Sequence, residues 1–127
     1  MSVRASTLTA HPAFILRTVQ MIGKRLQATH NSWKSMLQRC TNARLLAYKY
    51  YGAIGVTVSP KWRTFEGFLE DMGTRPAGTS LGRLLDTGDY TVGIARWMTR
   101  SEQGKERIRK RLRKKYGENY GTGSTHN

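Results

Sequence analysis

Eight of the eleven residues from Lys105 to Lys115 are lysine or arginine, with Glu106 the single acid among them. Ile108, Leu112 and Tyr116 follow at i, i+4 and i+8, the spacing of one narrow helical face. A strand would require alternation, and a fully buried helix could not accommodate eight cations. The segment is therefore expected to be a helix with Ile108 and Leu112 turned inward and its charge outward. Thr99 or Ser101 can cap its start. Such a helix can lie along a groove and neutralise several phosphates, and its charge exceeds what solubility requires. An ordinary solvated helix is the plainer alternative. A membrane-surface helix fits less well, because the apolar seam is narrow and lacks Trp and Phe.

The same imbalance runs through the chain. Lys and Arg number 22 against 8 Asp and Glu, a net charge of +14. Ten of these cations precede Glu66, the first acid. A chain of 127 residues suits one domain, and one so charged repels itself unless a polyanion accompanies it. DNA, RNA and an anionic membrane surface are the candidate partners. No apolar run approaches the roughly 18 residues of a membrane span, so no membrane role is expected. Cys40 is the sole cysteine, which rules out an internal disulfide and suits a cytoplasmic location. Its expected role is packing.

Hydrophobic spacing divides the chain further. Residues 1–11 are expected to be a flexible start. Residues 12–78 read as a helical region with a short β element. Pro12 opens a helix to about residue 28, on Ile15, Val19, Ile22 and Leu26. Asn31 or Ser32 caps a second helix, faced by Trp33, Met36, Leu37 and Cys40. Leu45, Leu46, Tyr48 and Tyr51 add a turn or two, ended by Gly52. Residues 52–58 read as a strand stopped by Pro60, and Phe65, Phe68, Leu69 and Met72 as a helix closed by Gly73. Residues 79–117 read as strand (Leu81, Leu84, Leu85), turn (Asp86 to Asp89), strand (Ile94 to Met98) and basic helix. Residues 118–127 form a flexible tail. The class is α+β, a small single domain. Trp33, Trp62 and Trp97 are assigned to its core.

Several segments resemble a known family. They are Trp33-Lys34-Ser35-Met36-Leu37-Gln38-Arg39-Cys40, Tyr48-Lys49-Tyr50-Tyr51-Gly52, Gly55-Val56-Thr57-Val58 and Phe65-Glu66-Gly67-Phe68-Leu69-Glu70-Asp71-Met72-Gly73. Trp62, Arg75-Pro76, Ser80-Leu81, Tyr90, Arg96-Trp97 and Glu102-Gln103 continue the series. In this order, over about residues 30–105, the chain resembles small phage and prophage proteins of the HNH homing-endonuclease type. The resemblance implies a C-terminal ββα unit holding one divalent cation and a general base for phosphodiester cleavage. Related members read Leu-Asp-Arg-Ile-Asp-Asn in the first strand, Asn-Cys-Arg-Trp in the second, and a pair of asparagines in the helix. Here Gly82 and Leu85 stand where the acids would be and Ile94 where the strand asparagine would be, and the helix lacks its pair. His11, His30 and His126 all lie outside the unit. Leu85 and Ile94 supply neither an oxygen ligand nor a base. The expectation is a degenerate HNH-like unit with no catalytic residue, no metal and no cofactor, which binds nucleic acid, double-stranded DNA first, as a repressor or accessory factor.

The expected binding residues are Lys105, Arg107, Arg109, Lys110, Arg111, Arg113, Lys114 and Lys115 on the helix. Arg83 and Arg96 on adjacent strands are read as a phosphate clamp, or as a structural pair bonded to Asp86 or Asp89. Lys49, Lys61 and Arg63 flank the 52–58 strand. Three alternatives stay open: a metal-dependent nickase using Asp86, Asp89 and a cation such as Mg, a protein that grips a host protein or RNA–protein complex, and an RNA binder. His30 is read as a capping or surface residue, or else a remote base.

Overall fold

A single helix, α1, runs 30 residues from Pro12 to Thr41 in the computed structural model, which describes residues 12–117. The expected flexible ends, 1–11 and 118–127, lie outside the described residues. The anticipated break near residue 30 is absent, because the polar side chains there are used within the helix or across the fold rather than as caps. Asn31 Oδ1 accepts from Gln27 Nε2 at 3.0 Å. Thr29 Oγ1 donates to the Arg25 carbonyl and accepts the Arg75 N–H, and Ser32 Oγ accepts from Arg75. From Thr29 onward α1 packs on the body through Met36, Trp33, Leu37 and Cys40. Ile15, Val19, Ile22 and Leu26, earlier on the helix, remain exposed.

The strand expected over 52–58 is not formed. Gly52–Ile54 is a 3-10 turn, preceded by another at Leu46–Tyr50. A strand needs a neighbouring edge, and only Tyr90 offers one. Val58 makes a single parallel bridge to it, with Ser59 N–H bonded to its carbonyl. Val56 and Val58 nevertheless reach the core.

The helix expected around Phe65 is present as α2, Phe65–Met72. Thr64 caps it by accepting from Gly67 N–H, and Gly73 ends it at φ 67°. Two short strands follow, β1 (Ser80–Arg83) and β2 (Ala95–Met98), antiparallel with Leu81 opposite Trp97 and Gly82 opposite Arg96. The last helix, α3, spans Arg100–Tyr116. Thr99 caps it, and the Glu102 carboxylate returns a bond to Thr99 N–H. The class is α+β. One sheet face presents Leu81 and Ala95 to a core of Trp62, Phe68, Met36 and Tyr90, and α3 covers the other. Trp62 and Phe68 meet edge to face at 5.2 Å.

How α3 sits on the hairpin differs from expectation. Ile108 and Tyr116 are exposed and Leu112 is half-buried, and the side chains bonded to β1 and the turn after it are Gln103, Glu106 and Lys110. The reason lies in Leu84–Asp86, which leaves the strand as a 3-10 turn with Leu85 at φ 57° and Asp86 at φ 47°. Non-glycine residues adopt this left-handed conformation only when their surroundings enforce it. Here Glu106 Oε1 accepts Leu85 N–H at 2.7 Å, and Lys110 Nζ donates to the Asp86 carbonyl at 2.9 Å. A polar seam satisfies the turn where an apolar one could not. Glu106→Ala should therefore cost about 1–3 kcal/mol by stranding that N–H. Ile108→Ala should stay within about 0.5 kcal/mol, as surface changes do. Urea denaturation of both variants checks the contrast, and equal losses would refute the polar seam.

Candidate nucleic-acid interface

At 100° per residue, Arg100, Arg107, Arg111 and Lys114 fall within roughly 60° of the circumference of α3. They span about 21 Å along the axis at 1.5 Å per residue, and all four are exposed. This flank borders the polar seam rather than the exposed Ile108 face. Arg100 and Arg107 reach the rim of a hollow of about 360 Å³ shared with Arg75, Ser80 and Gln103.

That hollow continues into a second of about 350 Å³ between α1 and β1. Arg75, Ser80 and Gln103 line both, and Asn31, Ser32, Ser35, Arg39, Tyr51 and Leu81 complete the second. Among the described residues no carboxylate lines either hollow. Arg75 is fixed by its Nε to the Thr79 carbonyl and by Nη1 to Ser32 Oγ at 3.1 Å. Arg39 donates Nη2 to Tyr90 Oη at 3.0 Å and lies over the Tyr51 ring. Burial pushes the Tyr90 phenol up and the nearby Arg39 charge pulls it back, so it stays protonated at neutral pH. Burial likewise raises the Cys40 thiol, which fits a packing role.

The residues expected from sequence divide into four groups. Lys105, Arg111, Lys114 and Lys115 project from α3 into solvent, while Arg113 is half-buried. Arg109 also bonds Glu106, and Lys110 braces the Leu84–Asp86 turn, where it lines a hollow with Lys49 and Tyr50. The clamp of Arg83 and Arg96 is corrected. Arg83 is 6% exposed, with its guanidinium bonded to the Gly88 carbonyl, 3.7 Å from Asp86 and stacked over Tyr51 and Tyr90. Arg96 is exposed on the opposite sheet face, opposite Gly82. Of the structural alternative, the Arg83 half forms, as an ion pair with Asp86. Lys61 is paired with Glu70 at 3.2 Å and Asp71 at 2.9 Å, so it offers little free charge, whereas Arg63 is exposed.

Lys61 and then the Trp62 indole hold the Asp71 carboxyl below the usual aspartate value. The stability this contributes is complete above the unfolded pKa and is lost as pH falls through the lowered folded value. His30 is not a cap. It sits inside α1 with its ring 4.9 Å from Phe65 and 5.2 Å from Trp33.

Arg39, Arg75 and Arg100 were not among the binding residues expected from the sequence, although Arg39 and Arg75 lie in segments that carry the resemblance. The available signal was the acid-free polar stripe Ser32, Ser35 and Arg39 at helical spacing on α1.

The positions where the resemblance would require metal ligands are engaged otherwise. A Cβ at Gly82 would lie 3.0 Å from Met98 Sδ and 3.3 Å from Gln103 Cγ, so a side chain there displaces one of them. Asp89 Oδ1 accepts Thr57 N–H, and Asp86 faces Arg83. Among the described residues no group of three or more His, Cys, Asp or Glu is placed to hold a metal ion. Nor is any helix among them long and apolar enough to cross a membrane. No protein-family model, curated protein or solved structure matches the chain.

Proposed function

We propose that this protein binds double-stranded DNA without cleaving it, gripping the phosphate backbone along one flank of α3. The observation that carries the reading is the continuous, carboxylate-free run from Arg75 through Arg100 and Arg107 to Arg111 and Lys114. Rigid elements hold the backbone of these cations, so the ordering cost of binding falls on their side chains alone. Contacts of this kind fix register and supply affinity but carry little base information. The reading extends to descent from an HNH-type scaffold in a phage setting and to action in the host cytoplasm. The hairpin followed by a capped helix supports it. The crowding at Gly82 and the commitment of Leu85 N–H to Glu106 support binding without cleavage.

Fluorescence anisotropy with a labelled duplex tests the proposal over about 50–200 mM salt. Four to six neutralised phosphates predict a slope of log K against log salt near −4 to −5. Supercoiled plasmid incubated with magnesium in parallel should stay supercoiled. Absence of binding at the lowest salt would overturn the binding reading, and nicking lost in Asp86→Ala would overturn the non-catalytic one.

A further inference from the structure

The hollow between α1 and β1 lies beside the α3 flank, and its chemistry differs. It is concave, and two guanidiniums from separate elements enter it, Arg39 from α1 and Arg75 from the segment after α2. Neither pairs with a carboxylate among the described residues. Arg39 is half-buried, and its Nε is out of water with no acceptor. A guanidinium cannot shed its charge by deprotonation. Partial burial without a counter-ion is costly, and the stacking on Tyr51 and Tyr90 offsets only part of it. The remaining lining is mostly hydroxyl and amide, from Ser32, Ser35, Ser80, Asn31 and Gln103, with Leu81 and the Tyr51 ring the apolar part. This set of groups suits a compact, multiply charged oxyanion.

The geometry points to a binding site for a phosphate monoester, held as the dianion between Arg39 and Arg75. Two fixed positive charges match its charge near −2, whereas a backbone phosphodiester brings one charge and two ester links into a walled hollow. The group can come from a free nucleotide or from the 5′ end of a nucleic-acid strand, and inorganic phosphate is its simplest surrogate. The adjoining hollow with Arg100 and Arg107 would take the next phosphate of either a nucleotide or a strand. The site shares Arg75 with the proposed DNA grip but is centred on Arg39, which that grip does not use, so it can hold when that reading fails.

Isothermal titration of the full chain with inorganic phosphate at constant ionic strength is the primary test. A dissociation constant on the order of 1 mM is expected at pH 7.5. Binding should weaken several-fold at pH 5, where inorganic phosphate is a monoanion. Arg39→Gln should weaken binding at least 10-fold. Arg39 also packs on two aromatic rings, so circular dichroism checks that this variant is folded. Ser35→Ala, which removes a hydroxyl from the lining, gives a second variant and should weaken binding about threefold. No heat beyond that of matched chloride in the wild-type protein overturns the site, as does binding unchanged in both folded variants. A nucleoside monophosphate, and a short duplex with or without a 5′ phosphate, then identify the source. A 10-fold gain from the 5′ phosphate supports the strand end, and tighter binding of the mononucleotide without that gain supports a free nucleotide. If duplex binding fails while phosphate binds, the DNA reading falls and this site stands.

Discussion

Alanine at Arg107, Arg111 and Lys114 together is expected to weaken duplex binding about 100–1,000-fold near 100 mM salt, at roughly 1–1.4 kcal/mol per lost charge-assisted contact. It should also flatten the salt slope by about 2.5–3. All three side chains are exposed on one flank, so their loss removes phosphate partners without opening the core. Thermal stability should hold or rise, because the triple change relieves repulsion along α3. Lys24→Ala, exposed on α1 before the part that packs on the body, is the control and should cost little. Lys105 and Lys115, on the side of α3 that carries the exposed Ile108, should matter less than the flank. Anisotropy at four salt concentrations gives both numbers. An unchanged slope in the triple variant would move the grip off this flank.

Trp62→Ala should cost about 3–5 kcal/mol, the range for removing a fully buried aromatic. Domains of ordinary stability hold only about 5–15 kcal/mol in total, so this loss takes a large share of it and would bring a protein at the low end of that range close to unfolding. Trp62 is fully buried and joins three elements. Its ring meets Phe68 of α2 at 87°, its Nε1 donates to Asp71 Oδ2 at 2.8 Å, and its carbonyl accepts from Trp33 Nε1 at 2.7 Å. Alanine keeps that carbonyl but leaves a cavity under α2 and removes a partner from Asp71. Trp62→Phe should lose less, because it retains most of the ring and forfeits the hydrogen bond. Far-UV circular dichroism in urea measures both. A loss below about 1 kcal/mol for Trp62→Ala would show that the core does not centre on this residue.

Elements with local signals were legible in the sequence. Gly73 closes α2 and Thr99 opens α3, because caps act over three or four residues. The hairpin was legible to within a residue or two. Features that depend on distant partners were not. Asn31 and Ser32 look like caps until Arg75 and Gln27 claim their oxygens. The 52–58 segment has the composition of a strand but meets only Tyr90. The inward face of α3 was misread for a related reason. Apolar periodicity marks a seam toward an apolar partner, and the partner here is a turn with backbone groups to satisfy. In the candidate interface, the density of cations on α3 was plain from composition. Which of them stand free, and that Arg39 and Arg75 share a hollow, depended on the packing of α1 against β1.

Glu102 and Glu106 are the only acids of α3, and both spend a carboxylate oxygen on a backbone N–H, of Thr99 and Leu85. Little negative charge is left to quiet the cations around them. Dissolved ions therefore act on this helix in two opposed ways. They screen its self-repulsion, which steadies the free protein, and they compete for any polyanion laid along it. The free form is least settled in dilute buffer, where its hold on a polyanion would be firmest.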